Sequence, residues 1–218
     1  MKINKELQMQ NEKLEESLRQ KEILLRELHH RVKNNMQVIS SLLRLQSRTL
    51  DDKKAVAVFS ECQNRIKTMA LIHEKFYRSE NLSNIDFKTY VKDLVKTLVE
   101  FYDVSQNKIT VDINIENISL DIDTAISCGL IINELISNSL KYAFPQGAKG
   151  NIGVSILPAE EDYVEMIISD NGIGLPAELD FQKTETLGLQ IVNTLVKNQL
   201  GGEIELDRSI GTKFKIKF

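Results

Sequence analysis

Two adjacent histidines, His29 and His30, are the first side chains in the sequence with an evident chemistry, and they lie in a basic, amide-rich stretch from Arg26 to Asn35. An imidazole with a pKa of roughly 6.5 is largely neutral at pH 7, so it needs orientation more than activation to act as a nucleophile. Joint metal binding is disfavoured, because adjacent helical residues point about 100° apart and helical ligands need a spacing of three or four. A solvated polar helix face is the alternative interpretation.

A second polar group combines a carboxylate with an amide. Glu134 and Asn138 are four residues apart in a helical pattern and are followed by Lys141 and Tyr142. One carboxylate and one amide oxygen on the same helix face can hold a hydrated magnesium ion, with water completing the octahedron. A solvated helix face would also explain this pattern.

A glycine-rich turn follows an apolar strand at residues 170–174, Asp-Asn-Gly-Ile-Gly. Asp170 can accept a hydrogen bond from an exocyclic amine such as that of adenine, and Gly172 and Gly174 allow the backbone to approach a planar base. A simple turn is the alternative. The pattern is neither a Walker loop nor a dinucleotide fingerprint.

Two further segments suit a nucleotide. Residues 186–189, which include Gly188 and Leu189, open a helix whose free amides suit phosphate oxygens. Thr212, directly before the last strand, offers a hydroxyl to the polar shell of the nucleotide.

The histidines are positioned by a long helix, predicted to run to about residue 48 without proline or glycine. Its heptad seam places His30 at an f position, facing solvent, and polar residues at Asn11, Lys21 and Asn35 interrupt the seam. Asp51-Asp52 ends this helix and can cap a second one, which gives an antiparallel hairpin with His73 packed on its seam. Dimerisation into a four-helix bundle would cover the remaining apolar stripes. The seam consists of Leu7, Asn11, Leu14, Leu18, Lys21, Leu25, Leu28, Val32, Asn35, Ile39, Leu42 and Gln46.

The rest of the chain predicts an α+β sandwich with a mixed, mainly antiparallel sheet and helices on one face. A polar linker at residues 79–84 separates a domain at residues 1–80, a coiled-coil connector and helical hairpin, from one at 81–218. Helices are predicted at about 85–102, 121–144 and 187–200, and strands at 108–116, 152–157, 163–170, 203–207 and 213–218.

Composition limits the class of protein. The 218 residues are 42% hydrophobic and 27% charged, with a net charge of −3. No run approaches the roughly 18 apolar residues of a membrane span and no signal peptide is evident, so we expect a cytoplasmic protein. Without a dense basic patch, nucleic-acid binding is not expected. Cys62 and Cys128 are expected to be buried thiols.

These motifs together resemble a known family. Residues 133–142, 170–174, 186–189 and 211–212 occur in the order seen in the ATPase domains shared by gyrase, Hsp90, MutL and histidine kinases. Residues 27–35 are similar to the phosphoacceptor motif of the second histidine-kinase dimerisation family, close to the HWE kinases. The resemblance covers nearly the whole chain.

The resemblance implies a sensor histidine kinase core that uses ATP and magnesium, forms a homodimer through the hairpin and passes a phosphoryl group to the receiver domain of a response regulator. The upstream sensor domain is expected to be missing. The resemblance implies that Asn138 binds magnesium and that Glu134, a catalytic residue, orients or deprotonates a water or stabilises the metal shell. Lys141 would approach phosphate, Tyr142 would pack near the base and Asp170 would bind the adenine amino group, in a pocket shaped by Gly172 and Gly174. Gly188 would lie where the nucleotide lid meets the helix, and Leu189 and Thr212 would belong to the same nucleotide site. Residues 175–186 would be the nucleotide lid, with Thr186 as a stiffer hinge than the usual glycine.

His30 is the predicted acceptor, because ordinary histidine kinases place Thr or Asn four residues later and Asn34 occupies that position. His29 has Lys33 there. Such kinases carry an acidic residue directly after the acceptor, where this chain has Arg31, so Glu27 on the same side of the helix is a candidate to hold the imidazole tautomer. An ATPase or an anti-sigma-type serine kinase, and a nucleotide-binding dimerisation scaffold without kinase activity, are the alternative functions.

Overall fold

A computed structural model describes residues 2–78, 86–102, 108–116, 118, 120–160, 163–176, 178–184 and 186–218. The side chains of residues 2–7, 22, 26, 29 and 72–78 are not among the described groups. The chain forms two compact units, Met1–Glu80 and Asn81–Phe218. The predicted linker at 79–84, and with it the predicted domain boundary, lies outside the described residues.

The N-terminal unit is a pair of helices, α1 (Lys2–Ser47) and α2 (Lys53–Arg78), that pack along each other. Neither contains proline or glycine, which accounts for their uninterrupted length. The carboxylate of Asp52 accepts a hydrogen bond of 2.9 Å from the backbone N–H of Lys54, so Asp52 caps α2 as predicted. The predicted hairpin is therefore present.

Helix α1 has two different faces. Less exposed residues recur every three or four positions and mark the side that α2 covers: Val32, Met36, Ser40, Leu43 and Ser47. The predicted heptad seam lies mainly elsewhere, and its leucines and isoleucine are between 43% and 59% exposed: Leu14, Leu18, Leu25, Leu28, Ile39 and Leu42. The seam is thus largely uncovered in a single chain. The side chain of His73, predicted to pack on the seam of α2, lies outside the described groups.

Among its described residues, the C-terminal unit contains three α-helices, α3 (Phe87–Phe101), α4 (Ile122–Asn138) and α5 (Leu187–Thr194), and a five-stranded sheet. The strands are β1 (Ile109–Ile115), β2 (Gly150–Pro158), β3 (Val164–Asp170), β4 (Glu203–Asp207) and β5 (Thr212–Lys217). Their order is β1-β2-β3-β5-β4, with β1 parallel to β2 and the other pairs antiparallel. This confirms the predicted α+β class with a mixed, mainly antiparallel sheet.

The core lies between the helices and one face of the sheet. Alternate residues of β2, β3 and β5 are buried, which is the pattern of a sheet with one covered face. Helix α4 is buried on nearly all sides between Ser127 and Ser137 because it lies between α3 and α5. Burial raises the pKa of the Cys128 thiol, so this cysteine stays protonated; Cys62 is only half-buried, in contrast to the prediction.

Two helices end differently from the prediction. Helix α4 was expected to run to residue 144 and α5 to residue 200, but each changes to a wider π-helical turn, at Ser139–Ala143 and Leu195–Gln199. Such turns are rare and are found at functional sites more often than chance predicts. Within the described residues, no helix combines the length and apolarity needed to cross a membrane.

Candidate functional site

The centre of the candidate site is Asp170, the last residue of β3, whose side chain points into the covered face of the sheet and is 6% exposed. Its Oδ2 accepts a hydrogen bond of 2.8 Å from Ser139 Oγ. Its Oδ1 accepts hydrogen bonds from the backbone N–H groups of Gly172 (3.0 Å) and Thr212 (3.3 Å). Three donors from three chain segments therefore fix the orientation of this carboxylate.

The same carboxylate keeps room for one more donor. An ionised carboxylate has about four lone-pair sites. Three are used by donors among the described residues, two on Oδ1 and one on Oδ2. One site on Oδ2 is left, which is the arrangement that a single N–H from a ligand requires.

The glycine turn after Asp170 packs directly on the π-helical turn of α4. The backbone N–H of Ile173 donates to the carbonyl of Ala143 at 3.0 Å, which satisfies a carbonyl left over at the end of that helix. A Cβ on Gly172 would lie 2.2 Å from the same carbonyl oxygen, so only glycine fits there. Gly174 has φ +74°, a left-handed conformation that favours glycine.

The two predicted magnesium ligands lie one turn apart on α4. Glu134 is 5% exposed and its Oε1 accepts a hydrogen bond of 2.9 Å from Asn133 Nδ2. Asn138 is half-buried at the last α-helical position, and its side chain makes no hydrogen bond with the described residues. No group of three or more His, Cys, Asp or Glu that could hold a metal occurs in the described part of the chain. A carboxylate with an amide oxygen fits magnesium, which keeps several waters and takes further oxygens from phosphates.

Lys141 lies between two aromatic rings in the π-helical turn. Its Nζ is 5.6 Å from the ring centroid of Tyr102, the residue after α3, and 6.0 Å from that of Tyr142. These distances allow cation–π attraction. Tyr142 is 64% exposed, so its ring is accessible to a ligand.

The segment before α5 is attached to the rest of the unit at several points. Asn193 Nδ2 donates to the carbonyl of Phe181 at 2.7 Å, and the Phe181 ring packs edge-to-face on Phe214 with centroids 5.7 Å apart. Thr186 Oγ1 lies 2.9 Å from Thr184 Oγ1 just before the helix. Gly188 and Leu189 follow in the first turn of α5, where Leu189 is buried in the core.

The predicted phosphoacceptor motif lies in the middle of α1. His30 and Asn34 are exposed, as expected from the f position, whereas the side chain of His29 lies outside the described groups. Glu27 pairs with Arg31 through a hydrogen bond of 2.9 Å between Oε1 and Nε. The carboxylate that we expected beside His30 is therefore bonded to Arg31 in this structure.

Several residues that shape the site were not predicted from the sequence. Ser139 donates a hydrogen bond to Asp170, and the ring of Tyr102 contacts Lys141. Asn151 and Asn171 are hydrogen-bonded to each other beside the glycine turn. The adjacent Asn-Gly pair at 171–172 is a turn signal, but nothing local predicts which strand the asparagine side chain would meet.

Two protein families match the chain in succession. The family described as "Histidine kinase" matches residues 27–102, and the family described as "Histidine kinase-, DNA gyrase B-, and HSP90-like ATPase" matches residues 123–218. The first match includes His30, and the second includes Glu134, Asn138 and Asp170.

Individual proteins agree with these families. Sensor histidine kinase PdtaS of Mycolicibacterium smegmatis is 33% identical over 193 residues, which are 86% of this chain and 37% of that protein. Blue-light-activated histidine kinase 2 of Erythrobacter litoralis is 24% identical over 188 residues, 84% of this chain and 53% of that protein. The chain thus spans between about a third and a half of these relatives.

Solved structures share the fold. The histidine kinase domain of the Erythrobacter litoralis EL346 blue-light-activated kinase superposes with a TM-score of 0.67 at 24% identity, covering 88% of this chain and 91% of that one. With the two family matches in the same order along the sequence, the chain belongs to the histidine kinases, as an N-terminal histidine kinase segment followed by an ATPase-type segment.

Proposed function

We propose that this chain is the core of a sensor histidine kinase that phosphorylates its own His30 from magnesium-ATP and passes the phosphoryl group to an aspartate of a response regulator. The observation that carries the proposal is an exposed His30 on a helical hairpin, in the same chain as a fixed, buried carboxylate with one acceptor site left. We assign the helical hairpin, residues 1–80, to phosphoryl acceptance and dimerisation, and residues 81–218 to nucleotide binding.

ATP binding is supported by the surroundings of Asp170. The remaining acceptor site on Oδ2 suits the adenine amino group, and the close packing at Gly172 and Gly174 suits a flat ring. We assign the phosphate end of the nucleotide to Gly188 and Leu189 at the start of α5, because free backbone N–H groups there attract anions. Thr212 lies beside Asp170, to which its backbone N–H donates a hydrogen bond, so its hydroxyl would add to the polar shell of the nucleotide.

Magnesium would be held by Asn138 and Glu134. When bound, it neutralises charge on the phosphate oxygens during transfer. Glu134 is oriented for this by Asn133, whose side-chain amide donates a hydrogen bond to Oε1. Lys141, between the rings of Tyr102 and Tyr142, would bring a positive charge to the phosphates while Tyr142 contacts the base.

The reaction is an in-line phosphoryl transfer. A ring nitrogen of neutral His30 forms a bond to the γ-phosphorus as the bond to the β,γ-bridging oxygen breaks, ADP leaves, and the other ring nitrogen loses its proton to solvent or a base. Catalysis then rests on positioning and charge neutralisation. Glu27 is proposed to fix the tautomer, for which its hydrogen bond to Arg31 must open; Asn34 lies on the same face of α1 as His30.

A homodimer is supported by the uncovered seam of α1. Leucines at heptad spacing that remain about half exposed in a single chain require a partner of the same kind to cover them. A response regulator as the acceptor, a separate sensor module and a cytoplasmic location belong to the same proposal.

The test is incubation of the purified protein with γ-labelled ATP and magnesium, comparing wild type with His30→Ala and His29→Ala. We expect label that is stable to alkali, labile to acid and lost only in His30→Ala. Loss only in His29→Ala would keep the kinase but reassign its acceptor. Alkali-labile label would indicate a serine kinase, and phosphate release without label would indicate an ATPase. Nucleotide binding without either would indicate a scaffold.

A further inference from the structure

A chain of hydrogen bonds connects the edge of the sheet to the glycine turn. Asn171 Oδ1 accepts a hydrogen bond of 2.7 Å from the backbone N–H of Asn151, at the start of β2. The backbone N–H of Asn171 donates to the carbonyl of Asn151 at 3.2 Å. Asn151 Nδ2 in turn donates to Asp112 Oδ2 on β1 at 2.6 Å. The three side chains thus link β1, the start of β2 and the turn that follows β3.

The pairing of Asn171 with Asn151 ends the β2–β3 ladder in an unusual way. Ile152 is opposite Asp170 in the antiparallel register, so Asn151 and Asn171 would form the next pair. In a hydrogen-bonded antiparallel pair each residue donates to the other's carbonyl. Here the side-chain Oδ1 of Asn171 replaces its backbone carbonyl. The backbone is therefore free to leave the strand at Asn171 and enter the turn, while the pair remains closed.

Asp112 fixes the other half of this pair. In the parallel register Thr110 is opposite Asn151 and Asp112 is opposite Gly153, so Asp112 is the diagonal neighbour of Asn151 on one face of the sheet. That face is the one opposite the buried Ile152 and Val154. Asp112 is itself exposed. The network therefore supports the turn from the side of the sheet away from the helices.

We propose that Asn171 is a positioning residue for nucleotide binding, supported by Asn151 and Asp112, and that it aims the turn at residues 172–174 without touching the nucleotide. This inference rests on the proposed function, because it needs the Asp170 pocket to bind ATP. Asp170 is held on the helix side by Ser139 and Thr212, whereas Asn171 holds the adjacent turn from the open face. The adenine site is thus fixed from both sides of the sheet.

The test measures the dissociation constant for ADP with magnesium by calorimetry, and the KM and kcat for ATP, in Asn171→Ala and Asn171→Asp. Loss of one hydrogen bond that fixes the turn should weaken ADP binding about tenfold in Asn171→Ala and raise KM with kcat nearly unchanged at saturating ATP. Asn171→Asp keeps an acceptor for the N–H of Asn151 and should bind ADP within about twofold of wild type.

Asp112→Ala should weaken ADP binding less than Asn171→Ala, and the double variant should be less impaired than the two effects combined, because both act on one network. Asn114→Ala is the matched control, since Asn114 is exposed on the same face of β1 and its side chain makes no hydrogen bond with the described residues. It should leave the ADP affinity unchanged.

Several results would overturn the inference. An ADP affinity of Asn171→Ala equal to that of wild type would do so, as would an Asn171→Asp variant as weak as Asn171→Ala. If Asn171→Ala does not fold, Asp112→Ala decides the question, because an unchanged ADP affinity there excludes a positioning network. Wild-type protein that binds no nucleotide would instead refute the proposed function.

Discussion

Ser139 Oγ donates a hydrogen bond of 2.8 Å to Asp170 Oδ2 and so connects the π-helical turn after α4 to the end of β3, across 31 residues of sequence. Both residues are buried. This contact places the helix that carries Glu134 and Asn138 beside the strand that carries the proposed adenine acceptor.

Ser139→Ala should therefore lower the free energy of unfolding by about 1.5–3 kcal/mol, the range for a hydrogen bond to a charged group. It should also weaken ADP binding, since Asp170 loses one of the donors that orient it. Urea denaturation and calorimetry measure the two effects. Ser155→Ala is the control, because the hydroxyl of Ser155 makes no hydrogen bond with the described residues; equal effects of the two variants would contradict the prediction.

Gly172→Ala should abolish measurable nucleotide binding, because the new Cβ would lie 2.2 Å from the carbonyl oxygen of Ala143 and the turn would have to move. Gly201→Ala is a matched control. Gly201 has φ +62° but no atom within 4 Å of the added Cβ, so it should cost only the left-handed strain of about 1–2 kcal/mol and leave ADP binding intact. ADP affinity retained in Gly172→Ala would show that the turn does not form the base pocket.

Tyr102→Leu should raise the KM for ATP about two- to fivefold, since a cation–π contact contributes about 0.5–1 kcal/mol to holding Lys141 in place. Tyr102→Phe keeps an aromatic ring and should remain near wild type. Tyr163→Leu removes another cation–π contact, to Lys217 at 4.4 Å, at the end of β3 and β5 opposite to Asp170 and Thr212. Tyr163→Leu should leave the KM for ATP unchanged. If it raised the KM as much as Tyr102→Leu does, the effect of Tyr102→Leu would reflect a loss of protein stability and not the loss of the contact with Lys141.

The elements were largely predictable from sequence because their signals are local. Asp86 caps α3 and Asp121 caps α4, and each helix begins directly after its cap. Alternating apolar residues at 109–115 coincide with β1. Each of these signals involves only a few neighbouring residues. The turn at residues 170–174 could be predicted from the sequence for the same reason, since turn chemistry is local as well.

The features that escaped sequence analysis depend on distant partners. The π-helical turn at Ser139–Ala143 ends at Ala143, whose carbonyl accepts a hydrogen bond from the N–H of Ile173. A helical sequence pattern does not predict this contact. Strand β1 pairs with β2 in parallel. The alternation of apolar and polar residues does not predict this, because strands in parallel and in antiparallel pairs can both show it. The role of Ser139 depends on the same long-range packing.

Asp121 provides a prediction about pH. The side-chain and backbone hydrogen bonds of Thr124 lower the pKa of the Asp121 carboxyl, which caps α4. A lowered folded-state pKa gives stability that is present above the ordinary carboxyl pKa and is lost as the pH falls through the folded value. Asp121→Ala should cost about 1 kcal/mol at pH 7, and the difference from wild type should shrink below pH 4. Urea titrations of wild type and Asp121→Ala across pH measure this difference, and a difference that stays constant below pH 4 would contradict the prediction.

Leu42→Lys should shift the protein from dimer to monomer, because Leu42 lies on the predicted heptad seam and is 56% exposed in the single chain. A lysine there would place a charge in the interface between two hairpins, where leucine is preferred. Ser41→Lys adds the same charge at the neighbouring exposed position off the seam and should leave the dimer intact. Light scattering coupled to size-exclusion chromatography gives the mass directly. A monomeric wild type, or a Leu42→Lys variant that stays dimeric, would mean that this seam of α1 does not form the interface between two chains.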